Sequence, residues 1–330
     1  MRYVTLGPSA IRVSELCLGA MTFNVDGPGS GRQESGAIFE AFVAAGGNFV
    51  DTASLYTGGQ SEVVVGELIA PDRERFVVAT KYSLWDGTEV VRSGNSRKAL
   101  VTSLERSLRA LRTEYVDVLY LHCWDGVTTP EVAMAALHDV VASGKVLAIG
   151  LSNVPAWWLA RAATVAELRG TTPVSACQVW FNLIERSAES EILPAARHLG
   201  VQPLCFGPLH AGALTASDHA RRRADTPRAE AIRAALDDVA RDAGVTSAQA
   251  ALAWIRQQEW GIVPILGAFT ATELRDSLGS LDVTLSYEQL DRLDEVSRLE
   301  PVYPHVTYDQ RYVQDLLTSG QTDTGLQLPR

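Results

Sequence analysis

The sequence predicts an α/β protein built as a (β/α)8 barrel, and three observations predict it. Short β-rich apolar runs alternate eight times with longer helical stretches, the pattern of a parallel sheet with helices packed outside it. Eight such strands are enough to close a barrel. The chain has 330 residues, 46% hydrophobic and 21% charged, so it is long enough to bury the core that a barrel requires. No linker composition divides it, and residues 1–330 read as a single domain with disorder confined to the ends.

The elements follow in order. Tyr3 to Leu6 and Ile11 to Ser14 are expected to form a small hairpin plugging the barrel floor. The strand candidates are Leu16 to Ala20, Asn48 to Val50, Phe76 to Lys81, Val116 to Leu121, Val146 to Leu151, Ser175 to Val179, Val201 to Phe206 and Gly261 to Leu266. Helical stretches lie between them at Glu34 to Ala45, Ser61 to Ile69, Arg97 to Leu111, Pro130 to Ala142, Ala156 to Leu168, Ser190 to His198 and Arg228 to Ala243, with an eighth after the last strand. Ser61, Ser96 and Pro130 supply helix starts. Gly46, Gly47, Gly144 and Gly200 stand where left-handed caps end helices. Leu100, Leu104, Leu108 and Leu111 repeat at helical spacing and read as core packing. Thr246 to Gln258 and Tyr287 to Leu299 read as added helices, and the tail after Pro301 as a loop over one barrel end.

Charge and cysteine usage narrow the function. A net charge of -10 and a pI of about 5.1 argue against nucleic acid or an anionic membrane surface as the partner. Arg221, Arg222 and Arg223 then read as a solvated loop. The opening Met1 to Pro8 lacks the pattern of a signal peptide, and no apolar run is long enough to cross a bilayer, so a cytoplasmic location is expected. Cys17, Cys123, Cys177 and Cys205 have no metal-ligand spacing and read as reduced core thiols rather than as a catalytic nucleophile.

In a barrel of this kind the reacting groups project from the carboxyl ends of the strands, where the loops face one cleft. Asn48-Phe49-Val50 is followed by Asp51, the third strand candidate ends in Lys81, and Leu119-Tyr120-Leu121 is followed by His122. Tyr56 lies just beyond Asp51, Ser152 and Asn153 end the fifth strand, and Gln178 lies in the sixth. Taken singly, Asp51 also reads as a turn cap, Lys81 as solvated and His122 as a core histidine. Three consecutive strands ending in an acid, a base and an imidazole nevertheless put all three on one rim. A lysine beside a tyrosine favours the tyrosinate and is expected to lower the Tyr56 pKa towards the working range of a general acid. Asp51 would keep that lysine charged and aimed.

The run Gly47-Asn48-Phe49-Val50-Asp51-Thr52-Ala53, then Tyr56 and Ser61-Glu62, with Lys81, His122 and Gly150-Leu151-Ser152-Asn153, resembles the aldo-keto reductase superfamily. The likeness runs from about Tyr3 to His305 and is nearest the aryl-alcohol-dehydrogenase-like branch, through Gly94-Asn95-Ser96-Arg97-Lys98 and Leu119 to Asp125. It implies a TIM (β/α)8 barrel, a nicotinamide cofactor without a metal, and a catalytic tetrad of Asp51, Tyr56, Lys81 and His122. In the implied reaction hydride passes between the cofactor and an aldehyde, ketone or alcohol carbon while Tyr56 acts as general acid. The same resemblance assigns the nicotinamide carboxamide to Ser152, Asn153 and Gln178, and the ring stacked on it to Phe181.

The resemblance also implies a pyrophosphate loop of Gly207, Pro208, Leu209, Gly212 and Thr215, where this chain lacks the Ser and Lys of relatives but keeps the backbone donors. His210 in that loop reads as a phosphate contact or as a solvated histidine. The adenosine end falls on Gly267, Phe269, Thr270, Glu273 and Ser277, and the basic residues that hold the 2′-phosphate of NADP(H) in relatives are missing there. Each lost charge-assisted hydrogen bond costs about 1.5 to 3 kcal/mol, so NADP(H) is the family default but its advantage over NAD(H) is expected to stay below about thirtyfold. Arg275 is the side chain that would restore it. Phe23, Leu55, Trp85 and Trp124 follow strand ends and either wall an apolar substrate pocket or cover the barrel core, and Tyr303, His305 and Tyr308 fall in the tail over that end. The readings weighed against the reductase are a non-catalytic cofactor-binding subunit like the channel-associated barrels, a reductase of a nucleotide-linked deoxysugar, and a two-carboxylate hydrolase, which lacks its second acid.

Overall fold

The structure is a computed structural model, and it describes residues 1–26, 29–215, 226–308 and 310–319. The chain opens with β1 (Tyr3–Thr5) and β2 (Arg12–Ser14), paired antiparallel with Tyr3 opposite Ser14. Then come β3 (Cys17–Gly19), α1 (Arg32–Ala44), β4 (Phe49–Asp51), α2 (Gln60–Ile69), β5 (Val77–Tyr82), α3 (Arg97–Leu111), β6 (Val116–Leu121), α4 (Pro130–Ala142), β7 (Val146–Ser152), α5 (Ala156–Arg169), β8 (Val174–Trp180), α6 (Ile192–His198) and β9 (Gln202–Phe206). The described chain resumes with α7 (Pro227–Ala243), α8 (Ser247–Gln257), β10 (Val263–Leu266), α9 (Ala271–Leu278), α10 (Tyr287–Ser297), α11 (His305–Tyr308) and α12 (Arg311–Leu317). Arg221, Arg222 and Arg223 lie outside the described residues.

β3 to β10 close a barrel in sequence order, every neighbouring pair parallel, and β10 completes the ring against β3. Two cores result from the alternation of side chains along each strand. Inside the barrel Cys17, Phe49, Val77, Ala79, Val118, Tyr120, Ala176, Leu204, Val263 and Ile265 pack with Leu6 and Val13 of the hairpin. Outside it, Val50, Val78, Leu119, Ile149 and Cys177 meet the helices, with Leu100, Leu104, Leu108 and Leu111 of α3 among them. Gly150 is the position where the inner layer is tightest. A Cβ there would lie 2.2 Å from Cε1 of Tyr120, whose ring crosses the lumen.

The hairpin does plug the floor, since a Cβ on Gly7 would meet the carbonyl of Ser175 at 2.4 Å, at the amino end of β8. It is clamped by Glu15. That carboxylate accepts from Arg2 Nη2 at 2.8 Å and from Arg256 Nη2 of α8 at 2.9 Å, and it is held well down, to a pKa of about 2, because the contacts to Arg2 and Arg256 outweigh its burial.

Three local expectations need correcting. Ser61 does not cap α2, whose N-cap is Gly59; its hydroxyl donates to the Ala20 carbonyl at 2.6 Å and pairs with Thr52 Oγ1 at 2.7 Å, tying the helix to the ends of β3 and β4. Gly46, Gly144 and Gly200 have the left-handed φ of 87°, 77° and 66°, but Gly47 is required by packing, since a Cβ there would meet Phe42 at 2.3 Å. The tail forms the short helices α11 and α12 rather than a loop, and it meets the barrel's carboxyl end through His305 Nε2 and Glu191 Oε1, 3.0 Å apart.

Candidate active site

Asp51 ends β4, Lys81 is the penultimate residue of β5, and His122 follows β6, so period-two alternation turns all three towards the lumen at the carboxyl rim. Parallel register places Asp51 beside Ala79, and Lys81 beside Tyr120. Lys81 and Asp51 are 1% and 3% exposed, and they form an ion pair through Nζ and Oδ2. Two charges taken out of water persist only if their remaining hydrogen-bonding capacity is met. Here Lys81 Nζ also donates to the Thr52 carbonyl at 2.9 Å, and Gln178 Nε2 donates to the other Asp51 oxygen at 2.8 Å.

Tyr56 opens a tight turn after β4, pinned where Thr57, at φ 48°, donates its hydroxyl to the Phe23 carbonyl at 2.7 Å. The turn holds the Tyr56 ring 4.9 Å from Lys81 Nζ and edge-on to His122, with ring centroids 5.8 Å apart. Burial pushes the Tyr56 hydroxyl above its ordinary pKa, Lys81 pulls it down and Asp51 pushes it up, with an upward net. The downward shift expected from the lysine alone is therefore corrected: the lysine lowers the cost of the tyrosinate, but desolvation outweighs it. Burial opposes the charge on Lys81, and Asp51 and Tyr56 more than offset it. His122 falls to about 3 through burial and the nearby Lys81 charge, so the imidazole is neutral, and its Nδ1 is buried without a hydrogen-bond partner.

A sequence profile described as the aldo/keto reductase family matches residues 15–298. The chain belongs to the aldo/keto reductase family. It is 35% identical to the aldo-keto reductase ausK of Emericella nidulans over 99% of this chain and 87% of that protein. It is 35% identical to an aryl-alcohol dehydrogenase of Pestalotiopsis microspora, over 92% and 84%, and 36% identical to norsolorinic acid reductase B of Aspergillus parasiticus, over 92% and 86%. The protein is accordingly an NAD(P)H-dependent reductase.

In this reductase Ser152, Asn153 and Gln178 meet beside Asp51 and His122, and a cavity of about 310 Å³ lined by Asn153, Gln178, Trp180 and Glu191 opens there. A hydroxyl and two carboxamides can each donate and accept, so this donor set fits the carboxamide of a nicotinamide. Asn153 holds φ 50° and its amide donates to the His122 carbonyl at 2.9 Å and to Ser152 Oγ at 3.0 Å, bracing two strand ends. Phe181 does not reach the mouth. It is fully buried with its ring stacked on Trp254, centroids 5.5 Å apart, because, just past β8, it continues the helix-facing alternation of Cys177 and Val179. Phe206, two residues beyond the inward Leu204 and beside Trp180 in register, is a partly exposed aromatic at the lumen's mouth, and that alternation was available in the sequence.

The loop after β9 carries positive φ at Gly207, His210, Ala211 and Gly212, of 60°, 50°, 52° and 86°. Backbone bonds from His210 to Gly207 at 2.9 Å and from Gly212 to Leu209 at 3.0 Å close it, and Thr215 donates its hydroxyl to the Gly212 carbonyl. Successive left-handed residues of this sort turn backbone amides to one side and make concavities that suit phosphate. His210 is half-buried: its ring lies 5.1 Å from that of Trp180, and its Nδ1 is 3.4 Å from Asn182 Oδ1. After β10, Gly267 and Phe269 are exposed, Thr270 caps α9 by accepting from Glu273 N, and Ser277 is buried on the inner face of that helix. Thr22 and Ser30, from the loop after β3, reach over to the Ala268 and Phe269 carbonyls at 2.8 and 2.9 Å.

Of the expected substrate walls, Phe23 is fully buried and covers the core instead. Leu55, Trp85 and Trp124 stay partly exposed on the rim. The Arg92 and Arg106 guanidiniums lie 5.0 and 4.3 Å from the Trp85 ring, and Trp124 packs edge-on against Trp157 at 5.5 Å. Among the described residues no group of three His, Cys, Asp or Glu is arranged to hold a metal, and no helix is long and apolar enough to cross a membrane.

Proposed function

We propose that this reductase interconverts an aromatic aldehyde or ketone and its alcohol, with Tyr56 as the general acid. The observation that carries the reading is the buried Asp51–Lys81 pair set beneath the Tyr56 ring, with a neutral imidazole on the other side. When bound, a nicotinamide dinucleotide supplies hydride to the carbonyl carbon. Tyr56 gives its hydroxyl proton to the carbonyl oxygen, and the ammonium of Lys81 steadies the phenolate that remains. Asp51 keeps Lys81 charged, and Gln178 holds Asp51 from the other oxygen. Being neutral, His122 orients the carbonyl by donating one ring N–H and adds no competing positive charge.

The aromatic substrate class is supported by the Trp85 and Trp124 indoles on the rim and by the name of one relative, an aryl-alcohol dehydrogenase. Such rings offer broad apolar contact with a fixed geometry. The test follows reduced-cofactor absorbance against a panel of aromatic aldehydes, aromatic ketones and keto sugars. Turnover confined to the aromatic members supports the reading, and turnover confined to nucleotide-linked keto sugars replaces it. Tyr56→Phe should lower kcat by about 10² to 10⁴ while leaving dinucleotide affinity in place. Activity within about threefold of the parent would move the proton donor elsewhere.

A further inference from the structure

In barrel enzymes phosphate sites recur in the loops after the seventh and eighth strands and at the amino end of a short helix, because unsatisfied backbone N–H groups and the helix dipole face an anion there. In this chain those strands are β9 and β10, and the helix is α9. Its amino end is already supplied with anions from within. Glu34, from the first turn of α1, accepts from the Ala271 N–H at 2.5 Å. Glu273 folds back on its own helix and accepts from the Phe269 N–H at 2.8 Å. Thr270 Oγ1 takes the Glu273 N–H at 3.2 Å.

We propose that Glu34 and Glu273 are specificity-determining residues that exclude a 2′-phosphate, so that the cleft takes the dinucleotide whose adenosine ribose carries a free 2′-hydroxyl, NAD(H). This rests on the reading that the barrel mouth holds a nicotinamide dinucleotide. A phosphate arriving at the α9 terminus must displace one carboxylate from its N–H donor and sit against the other, whereas a ribose hydroxyl donates to either carboxylate. Among the described residues, no basic side chain of this neighbourhood is placed to compensate. Arg32, at the start of α1, is turned to Glu67, and Arg275 lines a groove of about 440 Å³ with Glu40, Ala41, Ala44, Ala45 and Leu278, between α1 and α9. The two carboxylates come from residues 237 and 4 positions from the donors they occupy, so only one of them belongs to the helix that it caps.

Titration calorimetry of the full chain with NADH and NADPH tests this without turnover. The expected result is that NADH binds at least as tightly as NADPH. Glu34→Gln and Glu273→Gln each keep an acceptor for the backbone N–H while removing one negative charge, and each should raise the NADPH-to-NADH affinity ratio about tenfold. A parent protein that prefers NADPH by tenfold or more overturns the inference, as does a pair of variants that shift both affinities equally. Binding of neither dinucleotide overturns the reading of the mouth itself and the inference with it.

Discussion

At the scale of the residue, the chemistry of the site follows from which charges are buried together. Lys81 and Asp51 would each be costly alone in the lumen, and they persist as a pair whose remaining bonds go to Thr52 and Gln178. This geometry fixes the pH response of carbonyl reduction. Reduction needs protonated Tyr56, whose pKa is raised by burial, and neutral His122, whose pKa is about 3. From about pH 5 to 8 neither group changes state, so kcat/KM should be flat and should fall only as pH rises through the Tyr56 pKa. An acid limb near the ordinary histidine pKa would contradict the neutral imidazole. Lys81→Met removes the charge that pulls Tyr56 down while leaving Asp51 to push it up, so the alkaline limb should move to higher pH and kcat should drop by about 10² or more. Because the variant also leaves Asp51 buried without its partner, it should cost on the order of 3 kcal/mol in urea unfolding, which Tyr56→Phe does not.

At the scale of the element, the strands are held in register by a few close contacts that tolerate no added volume. Tyr120 of β6 crosses the lumen against Gly150 of β7, where a Cβ would come within 2.2 Å of the ring. The neighbours cannot yield easily, since both strands are in the closed barrel. Gly150→Ala should therefore destabilise the fold by about 1 to 3 kcal/mol, read as a lower urea midpoint at unchanged slope. It should also raise KM, because the two strands end at His122 and Ser152. The helices show how far local signals reach. Ser96 and Pro130 sit at the cap and first position that their types suit, and Thr246 and Ser286 form reciprocal caps with Gln249 and Gln289. Ser61 carries the same chemical signature, but the Ala20 carbonyl and Thr52 hydroxyl claim it, and these lie 41 and 9 residues away.

At the scale of the whole molecule, the floor and the mouth are separate problems. The floor is closed by the hairpin, and Glu15 locks it to α8 through Arg2 and Arg256. Its folded pKa of about 2 lies below the ordinary carboxylate value, so its contribution is fully present above the unfolded pKa and is lost as pH falls through about 2. Glu15→Gln should thus lower unfolding free energy by on the order of 2 to 3 kcal/mol at neutral pH, and the gap from the parent should narrow below about pH 4. A gap that does not change with pH would show that packing, not charge, holds the floor. At the mouth, the reaction as proposed asks nothing of a metal, and kcat should be unchanged after incubation with EDTA. Loss of activity that zinc restores would reassign the chemistry.

The sequence by itself determined the barrel, because alternation of short β-rich runs with helical stretches is a local property and eight repeats of it leave few other closures. It also put Asp51, Lys81 and His122 on one rim, since strand ends can be read by counting along three runs, and the family likeness placed Tyr56 beside them. Tertiary structure decided what depends on residues far apart in the chain. The upward net on Tyr56 needs the depth of its burial as well as the position of Lys81. The link from Gln178 to Asp51 spans 127 residues, and the carboxylate of Glu34 reaches a helix that begins more than two hundred residues later. Phe181 and Phe206 were separable by counting alternation along β8 and β9, but the stacking of Phe181 on Trp254 appears only once α8 is packed against the residue that follows β8. Periodicity records which way a side chain faces, and only the closed barrel records what it faces.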